Sequence, residues 1–324
     1  MRSVIAGITP DAYQPNRLHA ATRDWPETNC YVDLWIELLH ARGLDPRAGL
    51  GFTVGLDFEG DQFTFFKFPP QDLATLYGAR VFELSIYDSV EAHVCEQISR
   101  GRMTLVEVDA FHLPDTRGVS YGLEHTKTTI AINALDADAR RMHYFHNAGF
   151  FLAEGADFDA IFQRTCPPDA NNPILFPYVE FVKFDGTPLI AASLKQAASH
   201  CLAQHLATAP RRNPVREFAN RIEAQAESIC LHDATFFHKY AFNTLRQIGA
   251  NFELLATHLD WLSADEFTTA STASRALSTS AKTFQFQLAR AVARRRFAGL
   301  AQLLDGMAEN WDVAIDDLRD RVKV

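Results

Sequence analysis

The chain has 324 residues, which is long for one ordinary domain and sufficient for two. Hydrophobic residues make up 47% of the chain and charged residues 22%, which is typical of a folded globular protein and excludes a disordered tail or a fibrous repeat. The formal net charge of −9 argues against nucleic acid as a partner, because phosphate binding needs a basic surface.

Two further patterns bear on location. The N-terminal residues contain Pro10, Asp11 and Pro15 and therefore lack the continuous apolar segment of a signal peptide, and no run of about 18 apolar residues predicts a membrane span. Five cysteines without CxxC spacing favour reduced thiols. We expect a cytoplasmic bacterial-type enzyme or binding protein that does not interact with a membrane.

The first strong element signal is a buried helix over 30–42. Thr28 and Asn29 are good N-cap residues, and Gly43 suits the position just after the helix. Apolar residues cover nearly the whole circumference of this segment, which is typical of a helix surrounded by core.

The rest of the first half predicts strands with short helices between them. We expect helices at 70–77 and 89–100, and strands within 51–70 and at 80–86, 104–111, 126–135 and 142–146. Strands in series after a buried helix indicate an α+β domain with an antiparallel sheet.

The second half predicts helices only. Candidate helices cover 188–207, 213–229, 234–259, 264–278, 281–305 and 309–321, while the Ser/Thr/Ala-rich residues 268–283 suit either a helix face or a loop. We therefore expect a catalytic α+β domain over 1–190 and an α-helical domain over 191–324.

The most informative chemical feature is Cys30 at the start of the buried helix. Unpaired backbone N–H groups and the positive end of the helix dipole favour the thiolate, which is the nucleophilic form. The same N–H groups could stabilise an oxyanion on an acyl carbon. The alternative is that Cys30 is a small buried core residue, as most cysteines are.

A histidine and an asparagine could complete a catalytic centre. His125 precedes the strand at 126–135, and Asn147 follows the returning strand at 142–146, so a hairpin could place them side by side. A histidine beside a helix-terminal cysteine can act as the base, and an asparagine can fix its tautomer. His146 is the rival for the third position, because successive strand residues face opposite sides. The alternative is that each residue has an ordinary structural place, His125 as a histidine in a loop and Asn147 as a turn residue.

Three stretches resemble the N-terminal domain of the butirosin biosynthesis acyltransferase family, over about residues 25–150. They are Asn29-Cys30 with the helix YVDLWIELLHARGL, the segment FTVGLDFEGDQFTFFKFP, and RGRMTLVEVDAFHLPDTRGVSYGLEHTKTTIAINALDADARRMHYFHN. More narrowly, the whole chain looks like a bacterial domain-of-unknown-function family whose members accompany a carrier protein and an amino acid:carrier-protein ligase.

The resemblance implies a papain-like fold that transfers an acyl group from the phosphopantetheine thioester of a carrier protein to a small-molecule or peptide amine. It implies Cys30 as nucleophile, His125 as base, and Asn147 in place of the Asp usual in that family. Asn29 is an oxyanion candidate, and Asp109 is a structural or substrate-orienting residue. No cofactor is expected in this chain, because the phosphopantetheine belongs to the partner.

The one basic cluster comprises Arg290, Arg294, Arg295 and Arg296. A charge run is most often a solvated helix face, but this one would suit an anionic carrier protein. No metal site is expected, because His143 and His146 would point to opposite sides of a strand.

Two other functions stay open at this point. One is hydrolysis by a cysteine peptidase or thioesterase, in which water instead of an amine reaches the acyl-enzyme. The other is a non-catalytic binding protein, in which Cys30 is sealed in the core or lies more than about 6 Å from any histidine. The sequence assigns no oligomeric state.

Overall fold

A computed structural model describes residues 2–164 and 177–322 of the chain. They form two compact units. The sheet unit comprises Met1–Leu18, Cys30–Asp45 and Pro69–Pro188, and the helical unit comprises His19–Asn29, Pro46–Phe68 and Leu189–Val324. The α+β class with an antiparallel sheet and a helical C-terminal region is confirmed. The division differs from the expected one at 190/191, because two early segments belong to the helical unit.

The sheet unit contains a seven-stranded sheet in which every pairing is antiparallel. Its strands are β1 (Arg2–Ser3), β2 (Ala79–Glu83), β3 (Met103–Asp109), β4 (Lys127–Asp136), β5 (Arg141–His146), β6 (Gly149–Glu154) and β7 (Val179–Phe184). The order across the sheet is β2-β7-β3-β4-β5-β6, with β1 paired to β4. The strands β1, β6 and β7 were not predicted from the sequence.

Four α-helices of the sheet unit lie within the described residues. They are α1 (Cys30–Ala41), α2 (Pro70–Tyr77), α3 (Val90–Ser99) and α4 (Ala156–Ile161). All nine residues from Tyr31 to Leu39 in α1 are buried, which confirms the prediction of a helix surrounded by core. The helix contacts β4 and β5. Its buried Glu37 accepts hydrogen bonds from the hydroxyl of Tyr13 and the backbone N–H of Asn16.

A hydrophobic core cluster joins the sheet to α3 and α4. Strands β4 and β5 contribute alternate residues such as Ile130, Ile132 and Tyr144, while Val94 and Phe158 come from the two helices. Successive residues of a strand point to opposite faces of the sheet. This cluster takes alternate strand residues from one face and contains no residue of α1, so the buried helix α1 packs against the other face. The sheet is thus buried on both faces around β4.

A close backbone contact at Gly78 gives a stability test for the sheet unit. Gly78 ends α2 at a positive φ of 63°, and a Cβ there would lie 2.4 Å from the backbone carbon of Gly186. We expect Gly78→Ala to lower the free energy of unfolding by about 2–4 kcal/mol, since the backbone would have to shift as well as adopt a strained φ. Urea unfolding measures it, with Gly118→Ala as the control at a positive φ in open space. Equal losses in the two variants would rule out the steric explanation.

The helical unit contains seven helices within the described residues. They are α5 (Ala191–Thr208), α6 (Pro214–Ala219), α7 (Ile222–Ile229), α8 (Ala234–Ala241), α9 (Gln247–Ser263), α10 (Thr268–Arg294) and α11 (Asp305–Arg321). A π-helical turn joins α8 to α9, and a 3-10 segment over Pro46–Gly55 contacts α5 and α9. No helix in the described ranges combines the length and apolar character needed to cross a membrane.

Two sequence expectations for this unit need correction. Two helices were predicted over 264–278 and 281–305. The structure instead has one continuous helix across the expected break, α10 (Thr268–Arg294), whose small residues at 270, 271, 274, 278 and 281 are buried. The residues 51–70, predicted as two strands, contain the end of the 3-10 segment and one isolated bridge between Phe58 and Phe63. The aromatic rings of these two residues pack against each other and against Phe218, so phenylalanines fill this part of the core.

Candidate functional site

Cys30 occupies the first position of α1 in the sheet unit, as predicted, and its side chain is half-buried. Its thiol forms no hydrogen bond within the described residues. The preceding residue, Asn29, is buried and donates a side-chain hydrogen bond to the carbonyl of Phe66 at 3.2 Å. That amide is therefore already engaged, and the backbone N–H groups at the start of α1 are the better oxyanion donors.

The other described cysteines differ from Cys30. Burial raises the pKa of the Cys95 thiol, and the nearby Glu91 raises it further. Cys201 is buried, and the thiol of Cys230 donates to the carbonyl of Val292 at 3.2 Å. Cys166 lies outside the described residues. Cys30 is thus the described cysteine that combines partial exposure with a helix N-terminus.

His125 lies two residues before β4 and is held by Asp109, the last residue of β3. The distance from His125 Nδ1 to Asp109 Oδ2 is 2.5 Å, and the imidazole stacks on the ring of Phe111 with centroids 4.3 Å apart. The His125 side chain is 72% exposed. Because Asp109 accepts from Nδ1–H, the neutral ring presents its lone pair at Nε2 to the surroundings. This is the geometry of an oriented general base.

Asp109 is fixed by more than the histidine. Its Oδ1 accepts the backbone N–H groups of Phe111 and Thr126 at 3.0 and 3.1 Å. Burial raises the pKa of Asp109, but the hydrogen bonds from His125 and these two amides outweigh it, so the pKa lies below its ordinary value. The carboxylate therefore stabilises the fold above the ordinary carboxyl pKa, and that contribution is lost as the pH falls through the lowered value.

Asn147 does not lie beside His125. The pairing of Ala131 with Phe145 places Asn147 opposite residue 129, which is four residues, or about 13 Å, along β4 from His125. Asn147 instead adopts a φ of +45° in the two-residue turn between β5 and β6. Within the described residues no hydrogen bond joins it to His125, so Asp109 holds the position predicted for Asn147.

His146, the rival for that position, is committed elsewhere. Its Nδ1 lies 2.6 Å from Asp115 Oδ2 and its Nε2 lies 2.8 Å from Thr128 Oγ1. The hydroxyl of Tyr144 donates to the other oxygen of Asp115 at 2.5 Å. Both nitrogens of His146 are therefore used, and it cannot orient His125.

Asp115 was not identified from the sequence. Asp115, His146 and Thr128 have the same order of hydrogen bonds as a hydrolytic triad. However, the Thr128 residue is only 6% exposed and His146 only 1% exposed. We therefore interpret these hydrogen bonds among Asp115, His146 and Thr128 as a buried structural network.

A cavity of about 860 Å³ opens beside the Asp109–His125 pair in the sheet unit. Its walls come from the end of β3, the start of α3, the end of α4 and the segment that leads into β4. His112 lines it together with the pair, whereas Cys30, Thr128 and His146 do not. Within the described ranges no cluster of three or more His, Cys, Asp or Glu side chains could hold a metal ion.

The basic cluster lies at the end of α10 in the helical unit. Arg290 and Arg294 belong to the helix, while Arg295 caps it at a φ of +51° and Arg296 follows. All four are exposed, and in the described part of the chain none of their side chains is in an ion pair. Cations at a helix C-terminus interact favourably with the dipole, which is a sufficient structural reason for the first two.

Two family models match the chain. The model of the DUF1839 N-terminal domain matches residues 14–184, and the model of the DUF1839 C-terminal domain matches residues 191–320. No curated protein matches the chain. The two matched ranges meet between 184 and 191, close to the end of the sheet unit at Pro188.

Proposed function

Since the chain belongs to the DUF1839 family, whose description names no reaction, we propose a function from the site itself. The sheet unit transfers an acyl or aminoacyl group from a carrier-protein phosphopantetheine thioester to an amine, through a thioester on Cys30. The observation that carries the proposal is the Asp109–His125 pair, in which a carboxylate fixes the tautomer of an exposed imidazole. Cys30 supplies the nucleophile at the N-terminus of a helix in the same unit.

The proposed reaction has two steps. His125 Nε2 takes the proton of the Cys30 thiol, the sulfur attacks the thioester carbon, and the phosphopantetheine thiol leaves with the proton from His125. An amine then attacks the Cys30 thioester, gives its proton to His125, and releases the Cys30 thiol with the amide product. In both steps the backbone N–H groups at the start of α1 stabilise the oxyanion.

A papain-like architecture is part of the proposal. It is supported by the buried helix α1, which begins at the cysteine and contacts strands β4 and β5 of an antiparallel sheet. In one respect the arrangement departs from the cysteine-histidine-asparagine order, because the residue that orients His125 precedes it in the chain. Asp109 thus acts as a positioning residue through the imidazole.

Intact-mass trapping tests the proposal. The protein is mixed with an acyl carrier protein whose phosphopantetheine carries a labelled acyl or aminoacyl group, and the reaction is stopped in acid. We expect a mass increase equal to the acyl group and its location on Cys30, followed by loss of the adduct when an amine is added. Absence of any adduct across a panel of acyl groups would contradict the covalent mechanism.

Hydrolysis is the second candidate, and the 72% exposure of the His125 side chain favours it, because water can reach the base directly. The same experiment separates the two reactions. An adduct that decays to the free acid at the same rate with and without amines indicates a hydrolase, whereas an amide product indicates a transferase.

The arginines at the end of α10 are the proposed dock for the acidic carrier protein. We expect the double variant Arg294→Glu/Arg296→Glu to weaken carrier binding by about tenfold or more, with the wild-type affinity falling as salt is added. Fluorescence anisotropy with a labelled carrier protein measures this. The matched control is Arg211→Glu/Arg212→Glu, two adjacent exposed arginines before α6. Equal weakening in the two double variants would show a general charge effect instead of a dock.

A further inference from the structure

Strand β2 forms one edge of the sheet, and part of its backbone has no hydrogen-bond partner within the described residues. Leu84, just after β2, donates its backbone N–H to the carbonyl of Val179 in β7 at 2.8 Å. Because bonding alternates along an antiparallel pair, Phe82 also bonds to β7, whereas the backbone groups of Val81 and Glu83 point away from the sheet. Among the described residues these outward groups form no hydrogen bond. The edge can therefore accept another strand.

A partly exposed aromatic ring lies between the two outward residues. The Phe82 ring stacks on Phe181 of β7 with centroids 5.4 Å apart, and 36% of the Phe82 residue is exposed. The ammonium of Lys183 lies 4.7 Å from the centre of the Phe82 ring, and the guanidinium of Arg80 lies 5.5 Å from it. Stacking and cation–π contacts thus hold this ring in one orientation at the edge.

From this edge we propose that β2 pairs antiparallel with β2 of a second copy of the chain, which joins the two sheets across a two-fold axis. Phe82 lies opposite its own copy, and Val81 lies opposite Glu83 of the copy. Val81 and Glu83 then exchange four backbone hydrogen bonds across the axis. Phe82 occupies a non-hydrogen-bonded position, where facing side chains approach most closely, so the stacked pair becomes a row of four rings.

A second copy fits because the edge is complementary to itself. Val81 and Glu83 lie symmetrically about Phe82, so a copy supplies the same spacing of backbone groups and a ring to cover Phe82. The alternative register centred on Val81 would require the backbone of Ala79, which is completely buried. Two-fold pairing uses one β2 edge from each chain and therefore closes at two copies, which is the commonest form of homo-oligomer.

The charges near the axis include one repulsive contact. Arg80 is paired with Asp185, and the two copies of Arg80 would lie four residues apart along the strands, at least about 13 Å. Lys183 lies one strand farther from the axis. Glu83 lies on the other face of the sheet, where its two copies would approach diagonally to about 7–8 Å. This repulsion opposes pairing, so neutralising Glu83 should strengthen the dimer.

Sedimentation velocity of the full chain tests the pairing. We expect the mass to rise from one chain to two between about 1 µM and about 300 µM, because one short strand pair gives a small interface and weak association. Phe82→Ala should raise the dissociation constant of the dimer by about tenfold or more, and Glu83→Gln should lower it by about two- to fivefold. Phe286→Ala, which removes an exposed phenylalanine of the helical unit, should leave it unchanged. A wild-type protein that stays a single chain at the highest concentration, or equal weakening by the two alanine variants, would overturn the inference.

Cysteine cross-linking tests the register. In the proposed dimer the two copies of residue 82 form a non-hydrogen-bonded pair with Cα atoms about 4.5 Å apart, which is within the range of a disulfide. We expect Phe82→Cys to give a disulfide-linked dimer under mild oxidation, with peptide mass spectrometry locating the bond between the two introduced cysteines. Arg80→Cys, on the same face of the same strand, should give none because its copies lie too far apart. Equal cross-linking of the two variants, or none in Phe82→Cys, would contradict the proposed pairing.

Discussion

Replacing Cys30 with alanine is expected to abolish acyl transfer, with a loss of roughly 10³-fold or more in rate and no acyl adduct in the intact mass. The reason is that alanine has no nucleophile, while the first turn of α1 and the Asp109–His125 pair stay in place. Cys30→Ser tests the same point with a nearly isosteric side chain, since its hydroxyl is far harder to ionise. We expect serine to restore little of the rate.

Cys95→Ala is the matched control for the loss of a thiol. Cys95 lies in the sheet unit, and burial followed by the charge of Glu91 raises its pKa, so it should be a poor nucleophile at neutral pH. We expect its removal to leave the rate of adduct formation unchanged. Full activity in Cys30→Ala, or an equal loss in Cys95→Ala, would remove Cys30 from the mechanism.

The second large effect concerns stability. We expect Asp115→Ala to lower the free energy of unfolding by about 3–5 kcal/mol, because it leaves two buried groups, the imidazole of His146 and the hydroxyl of Tyr144, without their acceptor. Burial and then the charge of Asp115 raise the pKa of Tyr144 far above its ordinary value, so the phenol stays a donor. Urea unfolding followed by circular dichroism measures the change.

An exposed carboxylate provides the comparison for Asp115. Asp185 pairs with Arg80 on the surface, with side chains 47% and 51% exposed. Exposed pairs contribute little, so Asp185→Ala should unfold at nearly the wild-type urea concentration. Asp115→Asn keeps one oxygen acceptor and should fall between the two. A wild-type midpoint for Asp115→Ala would contradict the view that this network supports the sheet unit.

The elements that the sequence predicted best are those with a strong local signal. The helix α1 carries N-cap residues and a terminal glycine, and β3, β4 and β5 alternate or run apolar over their whole length. Strand β6 was missed although His146-Asn147-Ala148-Gly149 makes a two-residue hairpin with Asn147 in the left-handed region. Asparagine is one of the residues that tolerate that conformation, so this turn could have been predicted from the sequence.

The candidate site was only partly predictable. Cys30 and His125 were identified from their places at the ends of elements, and Asp109 was noted without its role. Its contact with His125 depends on the pairing of Asp109 with Lys127 between β3 and β4, and register of that kind is set by tertiary packing. The expected contact between His125 and Asn147 assumed that the residues at the two ends of the β4–β5 hairpin pair with each other. The observed β4–β5 register does not pair them.

The domain division shows the same limit of local reasoning. The residues 19–29 look irregular in the sequence, yet they belong to the helical unit. The indole N–H of Trp25 donates to the carbonyl of Ser278 in α10, and its ring packs so closely on Gly249 of α9 that a Cβ there would lie 2.3 Å away. No periodicity in the segment itself indicates such a contact, because it joins residues more than 200 positions apart.

The central claim is that His125 activates Cys30, and the pH dependence of Cys30 alkylation tests it most directly. Peptide-resolved mass spectrometry gives the rate with iodoacetamide at about pH 6 and about pH 9, with Cys95 as the internal reference. A neighbouring imidazolium favours the thiolate at low pH. We therefore expect the ratio of the Cys30 alkylation rate at about pH 6 to that at about pH 9 to be at least about tenfold higher in the wild-type protein than in His125→Gln. Identical pH profiles for Cys30 in the two proteins would contradict the claim.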